Sequence, residues 1–115
     1  MSVTIYHNPR CSKSRQTLAL LEERGISPNI VEYLNTPPSA AELSAILSML
    51  GMEPRDLMRK KEEPYKANGL DDGQLTSDAL VQAMIDNPIL IERPIVVSGG
   101  KAAIGRPPES VLDIL

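Results

Sequence analysis

The chain of 115 residues is long enough for one domain with its own hydrophobic core, and we predict a single domain over residues 1–115. Its net charge of −3 argues against nucleic acid or an anionic membrane as the main partner, because both attract strongly basic proteins. The single cysteine excludes an internal disulfide and a metal site with two thiolates, and we predict no metal. Because no apolar run is long enough to span a bilayer and no signal-peptide pattern is present, we expect a soluble, cytoplasmic protein.

The N-terminal third of the chain predicts a strand, a tight turn, a helix and a second strand. Residues 3–6 are rich in β-branched and aromatic side chains, and Asn8-Pro9 is a turn signal. A helical pattern then begins near Cys11 and ends at Gly25. Residues 29–34 have the composition of a strand. This spacing predicts a right-handed parallel βαβ unit.

The middle of the chain, from about residue 39 to 86, predicts helices only. Residues 39–42 (Ser-Ala-Ala-Glu) form a capping-box sequence before an apolar helical pattern. Pro54 suits the first position of a short helix, and a residue within 76–78 can cap a further one. We therefore predict a helical insertion after the βαβ unit.

The last part of the chain returns to strand patterns. Residues 89–91 and 95–97 are apolar runs rich in β-branched side chains, and Gly99-Gly100 is a two-residue hairpin signal that leads into residues 102–104. Residues 109–115 predict a C-terminal helix. A βαβ half, a helical insertion and a ββα half form the thioredoxin-like order of elements.

Cys11 is the residue on which we expect the chemistry to depend. Its predicted position is the N-terminus of the first helix, where free N–H groups and the helix dipole favour an anion such as a thiolate. The cations Arg10, Lys13 and Arg15 lie within four residues of it. A buried structural thiol is the alternative, which the polar turn around Cys11 disfavours. Because no second cysteine is present, a redox cycle must take its second thiol from another molecule.

Five motifs lie in order along almost the whole chain: His7-Asn8-Pro9-x-Cys11, Leu57-Met58-Arg59-Lys60, Glu63-Pro64-Tyr65, the run from Asn87 to Val97, and Arg106-Pro107. Together they resemble the glutaredoxin-coupled, ArsC-like arsenate reductase family. The resemblance implies an α/β fold of the thioredoxin-like, glutaredoxin type, with a mixed sheet and the helical insertion between its two halves. It also implies a cis-proline at Arg93-Pro94, before a central strand.

By this resemblance Cys11 is the nucleophile, and Arg59, Arg93 and Arg106 bind an oxyanion. Arginine suits that role because its guanidinium is planar, always protonated and matched to oxyanion geometry. The three arginines are far apart in sequence, so only a fold can gather them. His7 either orients or deprotonates Cys11 or is a hydrogen-bonded structural residue, and the sequence leaves both readings open.

The implied reaction is the reduction of arsenate to arsenite. The Cys11 thiolate attacks arsenic, water leaves, and glutathione reduces the thio-arsenate adduct, which leaves a mixed disulfide for glutaredoxin to resolve. Glutathione is a co-substrate in this scheme, and no tightly bound cofactor is expected. Its binding site is left open, with Lys13, Ser14 and Pro94 as candidates.

Three other functions can be weighed against the same residues. The first is a general monothiol oxidoreductase that exchanges glutathione with protein thiols. The second is a non-enzymatic module resembling the Spx-type regulators that bind RNA polymerase, but those carry Cys-x-x-Cys, and Ser14 replaces the second cysteine here. The third, a phosphatase-type arsenate reductase, requires Cys-x₅-Arg, and Thr17 stands where that arginine would be.

Overall fold

The computed structural model describes residues 2–115 and divides the chain into two compact units. The α/β unit joins the chain up to Thr36 with Arg93–Leu115, and the helical unit is Pro37–Glu92. Among residues 2–115, every helix is too short or too polar to cross a membrane. The expectation of one domain over the whole chain stays a prediction.

The α/β unit is built on a four-stranded mixed sheet. Its elements are β1 (Val3–Tyr6), α1 (Ser12–Glu23), β2 (Asn29–Val31), β3 (Ile95–Ser98), β4 (Lys101–Ile104) and a 3₁₀-helix (Pro108–Ile114). The strand order is β2-β1-β3-β4, in which β1 runs parallel to β2 and antiparallel to β3, and β3 is antiparallel to β4. The thioredoxin-like α/β fold predicted from the sequence is therefore confirmed.

A cluster of buried aliphatic side chains joins the sheet to the helices of this unit. It consists of Val3, Ile5, Leu21, Val96 and Val111. Val3 and Ile5 lie on the same face of β1, because side chains alternate along a strand. Burial of each such side chain contributes about 1.5–3 kcal/mol. The cluster fixes α1 against β1 and thereby fixes the loop between them, which carries Cys11.

The β3–β4 hairpin has the tight turn that its sequence predicts. Gly99 and Gly100 have φ angles of 56° and 81°, which ordinary side chains rarely adopt. The predicted C-terminal helix over 109–115 is present as a 3₁₀-helix over Pro108–Ile114.

The helical unit contains α2 (Ala40–Leu50), α3 (Pro54–Leu57), α4 (Glu63–Ala67), α5 (Ser77–Asp86) and a 3₁₀-helix (Pro88–Leu90). The predicted capping box is confirmed, because Ser39 Oγ accepts from Glu42 N at 3.1 Å and Glu42 Oε1 accepts from Ser39 N at 3.0 Å. Pro54 opens α3, and the Thr76 side chain caps α5, as predicted.

The predicted strand over residues 89–91 is wrong. Pro88–Leu90 form one turn of 3₁₀-helix, and Ile91 makes only an isolated antiparallel bridge with Met58. The β-branched composition favours a strand, but Pro88 lacks an N–H and suits the first position of a helical turn. The carbonyl of Asn87 accepts the N–H of Leu90 at 2.9 Å and closes that turn.

The second predicted strand, residues 29–34, is shorter than expected, because β2 ends at Val31. The chain turns directly afterwards. The carbonyl of Glu32 accepts the N–H of Asn35 at 3.0 Å and that of Thr36 at 2.9 Å. This turn brings residues 32–35 beside the loop that precedes Cys11, where they share a cavity with it.

Candidate active site

Cys11 is the N-cap residue of α1, as predicted, with φ −93° and ψ 124°. Its N–H donates to the carbonyl of Asn8 at 3.0 Å, and its carbonyl accepts the N–H of Arg15 at 3.0 Å. The side chain is only 9% exposed, so it is more buried than the sequence suggests. Its surroundings are nevertheless polar, because a guanidinium lies against the sulfur.

That guanidinium belongs to Arg106. Its Nη2 donates to Cys11 Sγ at 3.7 Å, and its Nε donates to the carbonyl of Arg93 at 2.9 Å. The register of the β3–β4 hairpin explains why Arg106 lies beside Arg93. Ile95 pairs with Ile104, and each arginine lies two residues beyond that pair. The sulfur therefore has a positively charged hydrogen-bond donor beside it.

Gly105, directly after β4, packs closely against Thr17 of α1 and against Pro94. Its N–H donates to the carbonyl of Pro94 at 2.9 Å. A Cβ at this position would lie 2.8 Å from Pro94 Cγ and 3.1 Å from Thr17 Cγ2, which leaves no room for a side chain. The run Gly105-Arg106-Pro107-Pro108 by itself predicts only a turn here. The tight packing of Gly105 positions the next residue, Arg106, toward Cys11.

The peptide bonds before two prolines of this unit are cis. The Arg93-Pro94 bond is cis, as the family resemblance implies, and the Arg106-Pro107 bond is also cis, which the sequence analysis did not predict.

His7 and Ser14 form a buried pair next to Cys11 in sequence. Ser14 Oγ accepts the N–H of Asn8 at 3.0 Å and lies 2.7 Å from His7 Nδ1. The ring tautomer decides which of these two atoms donates: Ser14 Oγ donates to Nδ1 when the ring proton is on Nε2, and accepts from Nδ1 when the proton is there. Burial lowers the pKa of His7, Glu32 raises it and Arg15 lowers it, with burial the largest effect. The ring is therefore neutral near pH 7.

Three residues were left as candidates for contact with glutathione. Ser14 is completely buried and its hydroxyl is used within the protein, so it is not presented to a ligand. Pro94 is also buried, whereas Lys13 is exposed on the first turn of α1. Of the three, only Lys13 has a side chain that a dissolved thiol can reach freely.

Arg59 belongs to the helical unit. Its N–H donates to the carbonyl of Leu90 at 2.7 Å, which fixes the backbone directly after Met58. Arg59 lines a cavity of about 320 Å³ in which Lys60 and Lys61 are also cationic and Glu92 is the one acidic residue. The surroundings of Arg59 are cationic, but its predicted role in binding the same oxyanion as Cys11 stays a prediction.

Residues 2–115 contain no cluster of three or more His, Cys, Asp or Glu able to hold a metal.

The fold and the site together define a thioredoxin-like α/β protein with one cysteine at the junction of its first strand and helix. The model of the ArsC family matches residues 6–114, and the chain belongs to the ArsC family.

Similar proteins extend over almost the whole chain. The protein of Escherichia coli strain K12 named uncharacterized protein YfgD is 60% identical, over 98% of this chain and 96% of its own. The arsenate reductase of Haemophilus influenzae is 54% identical over all of both chains. A solved structure titled arsenate reductase from Vibrio cholerae superimposes with a TM-score of 0.97 at 59% identity, covering 100% of this chain and 98% of that one.

Proposed function

We propose that this protein reduces arsenate to arsenite, with Cys11 as the nucleophile and with glutathione and glutaredoxin as external reductants. The observation that carries the proposal is the Arg106 guanidinium, whose Nη2 donates to Cys11 Sγ at 3.7 Å. Membership of the ArsC family and the arsenate reductase names of relatives from Haemophilus influenzae and Vibrio cholerae support the choice of arsenate.

In the first step the Cys11 thiolate attacks the arsenic of arsenate. A sulfur–arsenic bond forms, an arsenic–oxygen bond breaks, and the departing oxygen takes up protons and leaves as water. Arsenic stays pentavalent, so no electrons are transferred. The attack joins two anions, and it is slow unless positive groups neutralise the arsenate oxygens.

The arginines supply this neutralisation. Arg106 lies beside the sulfur, and its Nε bond to the carbonyl of Arg93 fixes the direction of the guanidinium. Arg93 and Arg59 are proposed to bind the remaining arsenate oxygens. Such preorganised donors stabilise the charge that develops as oxygen leaves, and removal of one donor typically costs about 10²–10³-fold in rate.

In the second step the glutathione thiolate attacks Cys11 Sγ. A disulfide forms, the sulfur–arsenic bond breaks, and its electron pair moves to arsenic. Arsenic is thus reduced by two electrons, while the two sulfurs are each oxidised by one. The product leaves as arsenite after it takes up protons, and Cys11 remains as a mixed disulfide with glutathione.

The third step is the attack of a glutaredoxin thiol on the glutathione sulfur of this mixed disulfide, which releases the Cys11 thiolate. The attack must come from outside, because Cys11 is the only cysteine. Lys13 is exposed two residues after Cys11 in the chain, and it can attract carboxylates of the molecule that carries the incoming thiol. His7, neutral and bonded to Ser14, is proposed to hold the loop that carries Cys11.

The experiment is an arsenate-dependent NADPH oxidation assay, coupled through glutathione, glutaredoxin and glutathione reductase. We expect Cys11→Ser to abolish turnover and Arg93→Ala to reduce it about 100-fold. Arg24→Ala, at the exposed C-terminal end of α1, serves as the matched control and should keep the wild-type rate. Unchanged rates in both Cys11→Ser and Arg93→Ala would reject the assigned site.

The same proteins separate arsenate reduction from general glutathione exchange. A monothiol oxidoreductase would deglutathionylate a model protein substrate without arsenate, and Arg106→Ala would barely change that rate. An arsenate reductase should instead require arsenate for NADPH oxidation and should lose this activity in Arg106→Ala.

A further inference from the structure

The α/β unit has a cavity of about 330 Å³ beside the loop that precedes Cys11. One wall is the loop of residues 7–10, and the other is the turn of residues 32–35 that follows β2. Its volume is at the lower end of the range found for small-molecule sites. Nothing in the proposed arsenate chemistry uses this cavity.

A buried imidazole forms part of the cavity wall. His7 is only 6% exposed, and its Nδ1 is already bonded to Ser14. Nε2 is therefore the ring nitrogen through which a ligand in the cavity can be bound. In the tautomer with its proton on Nε2, the ring offers a hydrogen-bond donor to an acceptor that enters the cavity.

Two opposite charges line the cavity, one on each wall. Glu32 is close enough to His7 to raise the pKa of the imidazole, against the larger effect of burial. Arg10 lies on the loop side, where its backbone N–H donates to Asn8 Oδ1 at 3.0 Å and holds the turn. A simple anion is repelled by Glu32 and a simple cation by Arg10. A zwitterion with separated ammonium and carboxylate groups satisfies both.

We propose that this cavity binds the γ-glutamyl end of glutathione, an inference that rests on the proposed function. Glu32 accepts hydrogen bonds from the α-ammonium, Arg10 pairs with the α-carboxylate, and His7 Nε2–H donates to an oxygen of the ligand. Arg10 directly precedes Cys11, so their Cα atoms are about 3.8 Å apart, and an extended tripeptide spans about 10 Å. The glutathione thiol can therefore reach Cys11 while its glutamyl end occupies the cavity.

The first test measures KM for glutathione and for arsenate separately. We expect Glu32→Gln to raise KM for glutathione about tenfold, because a charge-assisted pair is lost, and to leave KM for arsenate unchanged. Glu22→Gln, an exposed carboxylate on α1, is the matched control. N-acetylglutathione lacks the ammonium, so for wild type its KM should be about tenfold higher than that of glutathione. For Glu32→Gln the two thiols should have the same KM.

The second test does not need turnover. S-methylglutathione cannot form a disulfide, and calorimetry should show it binding to wild type and to Glu22→Gln but about tenfold more weakly to Glu32→Gln and Arg10→Gln. Equal binding by all four proteins would overturn the cavity assignment and leave the arsenate reaction standing. If wild type instead binds S-methylglutathione as expected but never reduces arsenate, the proposed function fails while the cavity assignment holds.

Discussion

The α/β unit and the helical unit differ in what they bury. Within residues 2–115, the buried polar side chains all belong to the α/β unit: His7, Ser14, Thr17 and Ser98. The buried side chains of the helical unit are hydrophobic, from Leu43 on α2 to Ile91 at its end. Buried polar groups destabilise a protein unless they are hydrogen-bonded, so they restrict which substitutions the α/β unit tolerates.

Three of these buried polar groups lie close to Cys11 along the chain. Ser14 and Thr17 are on the first two turns of α1, and Thr17 Oγ1 donates to the carbonyl of Lys13 at 2.8 Å. His7 bonds to Ser14 across the loop. The helical unit is held by apolar packing, by helix caps and by side-chain bonds nearer the surface, such as those of Arg55. The difference predicts that matched substitutions are costly in one unit and mild in the other.

The largest effect on stability is expected for Gly105→Ala. The new methyl group would overlap Pro94 and Thr17, both buried, and the free energy of unfolding should fall by about 3 kcal/mol. Gly73→Ala in the helical unit is the control, because a Cβ there meets nothing within 4 Å. Urea unfolding followed by circular dichroism measures both. Equal loss of stability in the two variants would show that Gly105 is not at a close approach.

Ser14→Ala should be the next most costly change. It leaves His7 Nδ1 and the N–H of Asn8 without their shared partner inside the protein, which costs about 2 kcal/mol. Ser48→Ala replaces an exposed serine on α2 of the helical unit and should change stability by less than about 0.5 kcal/mol. The same urea titration measures both variants. If Ser14→Ala were as stable as Ser48→Ala, the buried pair of His7 and Ser14 would not stabilise the fold.

Arg106→Ala tests the charge beside the sulfur. Without that guanidinium the thiolate loses a hydrogen bond and a neighbouring positive charge, so iodoacetamide should alkylate Cys11 about fivefold more slowly at neutral pH. Arg55→Ala is the control from the helical unit, where Arg55 donates to the carbonyls of Leu70 and Asp72. Its alkylation rate should match wild type. Slowing in both variants would point to a general change in the fold.

The smallest expected effect is on the pH dependence of the free energy of unfolding, to which each unit contributes one group. Burial lowers the pKa of His7 below 6.5 in the folded protein, so as pH falls below 6.5 the unfolded chain takes up the proton first and stability decreases. Hydrogen bonds from Ser39 lower the pKa of Glu42 below 4.5, so its contribution is present above that pH and is lost only on further acidification.

Chemical denaturation across this pH range separates the two groups. His7→Gln should flatten the decrease in stability near pH 6 and leave the decrease at more acidic pH unchanged. Glu42→Gln should leave the decrease near pH 6 unchanged and flatten the more acidic one. A decrease near pH 6 that persists in His7→Gln would contradict the assignment, because the chain has no other histidine.

Much of the fold follows from local sequence patterns. The capping box at Ser39, the glycine pair of the β3–β4 turn and the position of Cys11 at the start of α1 depend on near neighbours in the chain, and all three are confirmed. The strand predicted over 89–91 is wrong, although Pro88, which decides the outcome, is also a near neighbour. Composition favoured pairing, but Pro88 and the bond from Leu90 to Asn87 produced a helical turn instead.

The site was only partly predictable. The family resemblance pointed to Cys11, Arg93 and Arg106. The hairpin register brings Arg106 to the carbonyl of Arg93, and its Nη2 reaches Cys11 Sγ. No periodicity signals that Gly105 must lack a side chain, because Thr17 and Pro94 approach it from distant parts of the chain. Glu32 was missed because the predicted strand extended through it, whereas β2 ends one residue earlier and the following turn lines a cavity.

The most direct test of the account is to trap its second intermediate. Wild-type protein is incubated with arsenate and glutathione but without glutaredoxin, quenched in acid, digested without a reducing agent and analysed by mass spectrometry. We predict one glutathionyl group on the peptide that contains Cys11, formed only when arsenate is present and accompanied by one arsenite per chain. Arsenite production without this adduct, or with Cys11→Ser at the wild-type rate, would contradict the account.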